Sequence, residues 1–103
     1  METIDIHHVG LAATPGERPW ALVGVMASGN LEILLERATP PDVCDVRIET
    51  SVGGFTTIWQ AVIRDVVTGN ATGGLRISIN DSGARPDTVT LRLLQGLSTM
   101  AVR

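Results

Sequence analysis

The chain has 103 residues and a formal net charge of −3, with 44% hydrophobic and 18% charged residues. This size and composition predict one folded domain and exclude a disordered chain. Its eight basic residues are all arginine and lie scattered along the sequence, so the clustered positive charge of a nucleic-acid-binding protein is missing.

The sequence indicates an intracellular protein. Cys44 is the single cysteine, so it cannot form an internal disulfide, and no Cys or His pair has the spacing of a structural zinc site. The N-terminus lacks the basic and apolar regions of a signal peptide, and no apolar run reaches membrane-spanning length. We therefore expect a cytoplasmic protein without membrane, metal or nucleic-acid partners.

The first third of the chain predicts an arm and a hairpin. Residues 9–19 contain two prolines and two glycines, so residues 1–19 are predicted to form a short arm or edge strand followed by a loop. Residues 21–27 are apolar throughout, as in a strand covered on both faces, and apolar residues alternate with polar ones over 31–36. Gly29 and Asn30 tolerate the positive φ angles of tight turns, so residues 20–36 are predicted to be a β-hairpin with Ser28 at its tip.

The middle of the chain predicts a strand, a helix and another strand. Alternation marks strands around Val46 and around Ile77. Between them, the spacing i, i+3, i+4, i+7 of an amphipathic helix is met by Phe55, Ile58, Trp59, Val62, Ile63, Val66 and Val67. Gly69 and Asn70 suit a left-handed cap at the end of that helix.

The last segment fits either a strand or a helix. Val89, Leu91 and Leu93 alternate, but the stripe Val89, Leu93, Leu97 and Met100 is longer, and Pro86 suits a first helical turn, so we favour the helix. The order is then β-β-β-α-β-α. It predicts an α+β fold for the single domain 1–103, with a small, mostly antiparallel four-stranded sheet and two helices on one face.

Two serines are candidate sites. Ser28 and Ser82 each precede a glycine in a predicted turn, and serine beside glycine is common in loops, so turn formation alone explains both. A Ser-His-Asp hydrolase would need His7 or His8 to fold back onto Ser28 with Asp45 or Asp81 nearby, and no G-x-S-x-G motif is present.

The remaining polar residues have structural explanations. The carboxylates of the predicted strands suit a solvated sheet face, and the glycines between the helix and the fourth strand match no nucleotide-binding spacing. The carboxylates are Glu32, Glu36, Asp45 and Glu49, and the glycines are Gly69, Gly73 and Gly74. No catalytic residue is expected among them.

Three segments resemble the malonate decarboxylase acyl-carrier (delta) subunit family. The first is Ser28-Gly29-Asn30-Leu31-Glu32, preceded by Val23-Gly24-Val25-Met26. The second is Thr50-Ser51-Val52-Gly53 followed by Trp59, and the third begins at Ile79-Asn80-Asp81-Ser82-Gly83-Ala84. The resemblance covers about residues 20–98. Asn30 departs from the Asp that is usual in the family, which weakens any role for an acidic side chain beside the serine.

The resemblance implies that Ser28 carries 2′-(5″-phosphoribosyl)-3′-dephospho-CoA through a phosphodiester bond. It also implies a non-catalytic carrier of acetyl and malonyl thioesters. The implied partners are the transferase and decarboxylase subunits of malonate decarboxylase, a prosthetic-group transferase and a malonyl-loading acyltransferase. Two alternatives remain open at this point: the related citrate lyase acyl-carrier (gamma) subunit, and a small α+β interaction module without a prosthetic group.

Overall fold

The computed structural model describes residues 1–24 and 31–102. Seven elements follow one another along this part of the chain. They are β1 (Glu2–His8), β2 (Trp20–Val23), β3 (Leu31–Arg37), β4 (Cys44–Thr50), α1 (Thr56–Gly69), β5 (Leu75–Asp81) and α2 (Pro86–Met100). The predicted helix at the C-terminal end is confirmed, with Pro86 in its first turn.

The described strands form one mixed sheet in the order β1-β4-β5-β3-β2. The predicted count of four strands is wrong, because β1 pairs with β4 along its whole length. Of the two predictions for the N-terminal segment, arm or edge strand, the edge strand is confirmed. All neighbouring pairs are antiparallel except β4 and β5, which are parallel because α1 connects them as a crossover. The α+β class is confirmed, and the antiparallel pairing of β2 with β3 confirms the two strands of the hairpin.

The core lies between one face of this sheet and the two helices. Every second residue of β3, β4 and β5 is buried on that face, and α2 packs against β2, β3 and α1. Buried side chains on the helices include Trp59, Ile63, Val89, Leu93 and Met100. In the described part of the chain the opposite face stays open. The expectation that the strand beginning at residue 21 is covered on both faces is therefore wrong for its described residues, because Leu22 lies in the edge strand and is 52% exposed.

Helix α1 does not end as predicted. Asn70, its C-cap, is extended (φ −138°, ψ 163°), and Gly69 is not among the glycines with positive φ. The Asn70 side chain instead donates a hydrogen bond to the Val66 carbonyl. A side-chain amide therefore satisfies an end carbonyl that a left-handed cap would otherwise satisfy.

Arg37, the last residue of β3, fixes the segment between β1 and β2. Its guanidinium donates to the carbonyls of Thr14, Pro15 and Arg18 over 2.7–2.9 Å, and to that of Met100 at 2.7 Å. One side chain thus joins the loop to the C-terminal end of α2, where the helix leaves carbonyls without partners in the helix itself.

Among the described helices, none combines the length and the hydropathy needed to cross a membrane.

Candidate functional site

One end of the sheet brings together the root of the hairpin connection and the C-terminal ends of β4 and β5. Leu31 is paired with Asp81, and Asp81 is paired with Thr50. Gly24 lies here too, with φ +79°, and a Cβ at this position would lie 2.2 Å from the carbonyl oxygen of Leu31. The two ends of the connection that carries Ser28 are therefore close together.

Ser28 itself lies in residues 25–30, outside the described residues, so its predicted position at a hairpin tip stays a prediction. The residue type fits the anchor that the resemblance implies, because a serine hydroxyl can form a phosphodiester. The paired strands on either side also provide a rigid base for a tethered group.

Ser82, the second candidate, is exposed in a bend directly after β5. It is not at a helix start, because α2 begins at Pro86. The bend is held by Asp81, whose Oδ1 accepts a hydrogen bond from the Ala84 amide at 2.8 Å and whose Oδ2 accepts one from the Gly83 amide at 3.2 Å. Ser82 therefore lies at the same end of the sheet as the hairpin connection and is the natural comparison for Ser28.

Asp81 is buried beneath this bend, with 5% of its surface exposed. Its Oδ2 also accepts a hydrogen bond from the Thr50 hydroxyl at 2.8 Å. Both carboxylate oxygens are thus used in holding the end of the sheet to the following turn. This explains a buried acidic residue on structural grounds, without a catalytic role.

An apolar groove opens next to Asp81, between the N-terminal halves of α1 and α2. Its volume is about 430 Å³, and its apolar lining includes Val52, Phe55, Ile58, Trp59, Val62 and Val89. Phe55 precedes α1 and, like Ile58, is 46% exposed, although both belong to the apolar stripe from which the helix was predicted. The sequence pattern predicted the helix but not the groove. The available signal was the width of the apolar stripe, which exceeds what one sheet contact covers.

The two histidines lie far from this end of the sheet. His7 contacts Asp45 across β1 and β4 on the open face. Pairing across the sheet links His7 to Glu36, which lies three strands away on β3 and five residues after Leu31. His7 is therefore about 17 Å from Leu31 along the strand direction and about 14 Å from it across the strands. The structure therefore brings His7 and Asp45 together but does not place them with Asp81, and this geometry argues against the hydrolase.

The carboxylates on β3 and β4 point to the open face. Glu32, Glu36, Asp45 and Glu49 alternate with the buried residues of their strands, as expected for a solvated sheet face. On the same face Arg47 donates two hydrogen bonds to Asp5 at 2.9 and 3.3 Å. This interaction lowers the pKa of the Asp5 carboxyl.

Cys44 is fully buried on the helix-covered face of β4. Burial raises the pKa of its thiol to about 12, because the thiolate would lose its hydration; the nearby Asp45 charge acts in the same direction, and a hydrogen bond with Thr72 acts against it. A thiol that stays protonated and inaccessible is a poor nucleophile. Cys44 therefore cannot serve as an acyl-bearing thiol.

Comparison with known proteins gives one consistent family. The model of the malonate decarboxylase delta subunit (MdcD) matches residues 19–100. A malonate decarboxylase acyl carrier protein from Bradyrhizobium diazoefficiens is 48% identical over 101 residues, which cover 98% of this chain and 96% of the relative. One from Burkholderia cepacia is 52% identical over 92 residues, covering 84% of each.

A solved structure shares the fold. A chain in the crystal structure of a Pseudomonas malonate decarboxylase hetero-tetramer in complex with malonate superposes with a TM-score of 0.82 at 36% identity. The match covers 97% of this chain and 99% of that one.

Proposed function

Because the chain belongs to the malonate decarboxylase delta subunit family, we propose that it is the acyl-carrier subunit of a malonate decarboxylase and that Ser28 anchors the acyl arm. The observation that carries this proposal is the family match over residues 19–100, which includes the whole of β2, the connection with Ser28, and β3. The named relatives favour malonate over citrate, so the citrate lyase alternative loses its support.

The proposed anchor is an ester between the Ser28 oxygen and the phosphate of 2′-(5″-phosphoribosyl)-3′-dephospho-CoA. When bound, this group supplies a thiol on which acetyl and malonyl are carried as thioesters. Strands β2 and β3 hold the anchor, and the close approach of Gly24 to Leu31 fixes the base of the connection. A tether of this kind raises the acyl group's concentration at a partner site to the order of millimolar.

The carrier needs partners for the chemistry. In the described part of the chain, His7 pairs with Asp45 at one end of the sheet, while Asp81 is used in a turn at the other. We therefore assign acyl exchange and decarboxylation to the transferase and decarboxylase subunits, and loading to a prosthetic-group transferase and a malonyl-loading acyltransferase. A cytoplasmic location remains our prediction.

Intact mass spectrometry tests the anchor. Wild type, Ser28→Ala and Ser82→Ala are produced together with the modifying enzymes of the native host. We expect wild type and Ser82→Ala to gain the mass of phosphoribosyl-dephospho-CoA and Ser28→Ala to stay unmodified. An unmodified wild type would contradict the carrier function and favour the alternative of an interaction module without a prosthetic group. Loss of the added mass in Ser82→Ala alone would move the anchor to Ser82.

A further inference from the structure

We propose that the apolar groove between α1 and α2 shelters the acetyl-bearing end of the arm and disfavours the malonyl-bearing end. This inference rests on the proposed function, because it takes the arm to be anchored at Ser28. It assigns the groove to one occupant, the neutral thioester end of the carrier's own arm.

The position of the groove relative to the anchor supports this assignment. Asp81 lines the groove and is paired with Leu31, and paired Cα atoms of antiparallel strands lie about 4.5–5.5 Å apart. Ser28 precedes Leu31 by three residues, which span at most about 11 Å, so chain connectivity places the anchor within about 16 Å of the Asp81 Cα. A pantetheine chain has about as many backbone atoms as four residues and extends to about 14 Å. The phosphoribosyl and dephospho-CoA portions lengthen the arm further, so it can reach the groove.

The lining of the groove suits a small neutral group. Phe55 and Ile58 leave large apolar surfaces exposed beside the buried Trp59, and covering such surface is favourable by roughly 25 cal/mol per Å². A volume of about 430 Å³ lies in the range of small-molecule pockets and accommodates an acetyl thioester with the end of the pantetheine chain.

The same lining disfavours a carboxylate. Among the described residues that form the groove none is cationic, and Asp81, the one ionisable residue, already accepts hydrogen bonds from Thr50, Gly83 and Ala84. A malonyl carboxylate placed against this apolar lining would lose hydration, and it would lie near the Asp81 carboxylate. The groove therefore retains the arm after decarboxylation and leaves the malonyl form free for the partner subunits.

The proposal predicts protection of the acetyl thioester against a small nucleophile. Hydroxylamine attacks the thioester carbonyl and releases acetohydroxamate and the free thiol, so intact mass follows the loss of acetyl from the isolated holo-carrier. The variants are Ile58→Glu, which places a charge at the groove, and Leu91→Glu as the matched control. Leu91 lies on α2 outside the groove and is 55% exposed, compared with 46% for Ile58. Melting temperatures confirm that both variants are folded.

We expect acetyl to be lost about twofold faster from Ile58→Glu than from wild type, because a millimolar effective concentration keeps the arm bound to a site of millimolar affinity about half of the time. Leu91→Glu should match wild type, and malonyl should be lost at the same rate from all three proteins. Emission of Trp59, recorded in a Trp20→Phe background, should change on loading with acetyl but not with malonyl.

Other results overturn the proposal in distinguishable ways. If acetyl is lost at the same rate from wild type and from Ile58→Glu, with the arm present on Ser28, the arm does not bind in the groove. The carrier function is unaffected by that result. If the malonyl thioester is protected as well as the acetyl thioester, the groove does not discriminate between the two forms of the arm. A Trp59 response only when partner subunits are added identifies the groove as a protein interface. An unmodified Ser28 removes the carrier function and this inference together.

Discussion

The Thr50 hydroxyl donates a hydrogen bond to Asp81 Oδ2 at 2.8 Å, which joins the C-terminal ends of the parallel strands β4 and β5. Thr50→Val keeps the side-chain shape and leaves Asp81 with its two amide donors, so we expect a loss of about 1–2 kcal/mol in the free energy of unfolding. Asp81→Ala removes the acceptor of three hydrogen bonds and should cost about 2–4 kcal/mol. Urea denaturation measures both, with Thr3→Val on the exposed edge strand β1 as the control. Equal midpoints for Thr3→Val and Thr50→Val would contradict this role.

The two tryptophans differ in burial and should differ in their contribution to stability. Trp59 is 7% exposed in the core, whereas Trp20 is 57% exposed on the open face of the sheet. Trp59→Ala should lower the free energy of unfolding by about 3–5 kcal/mol, because it removes a large buried side chain and leaves a cavity. Trp20→Ala should change it by less than about 0.5 kcal/mol. Thermal denaturation compares the two, and a Trp59→Ala variant that melts like wild type would show that α1 does not pack as described.

Gly24 should be intolerant of any side chain. Gly10 and Gly24 both have positive φ, but a Cβ at Gly10 meets open space, while at Gly24 it meets the Leu31 carbonyl oxygen. Gly10→Ala should therefore cost only the backbone penalty of about 1 kcal/mol. Gly24→Ala adds the displacement of a paired strand and should cost about 2–4 kcal/mol. Denaturation midpoints test this difference, and similar values for the two variants would mean that the strands can separate here without cost.

The buried thiol of Cys44 should make stability fall at alkaline pH. Its pKa is raised from 9.0 to about 12 by burial, so between these pH values the unfolded chain releases the thiol proton and the folded chain keeps it. The free energy of unfolding should then decrease above about pH 9, by up to about 1.4 kcal/mol for each pH unit. The sequence has no lysine or tyrosine, so in the unfolded chain Cys44 is the only side chain that titrates between pH 9 and 11. Denaturation from pH 8 to 11 measures the slope, and a Cys44→Ala variant with the same slope would assign it elsewhere.

The sequence by itself determined the elements whose pattern is local. Alternation located β3, β4 and β5, the 3.6-residue stripe located α1, and the longer stripe behind Pro86 decided for a helix at the end of the chain. These patterns suffice because each element buries one face, and burial leaves its period in the sequence. The three segments around Ser28, Thr50 and Asp81 also indicated the family without any coordinates, and the family match over residues 19–100 confirms it.

Only the tertiary structure decided how these elements are placed. β1 became a strand because β4 had a free edge, and Leu22 remained exposed because β2 lies at the other edge; neither partner can be inferred from the residues themselves. The groove has the same origin. Phe55 and Ile58 share an apolar stripe with Trp59, but in the packed structure Trp59 is buried and the other two residues stay half exposed at the groove. Hydrophobic spacing specifies which face of a helix is apolar, whereas the neighbouring elements determine how much of that face is covered.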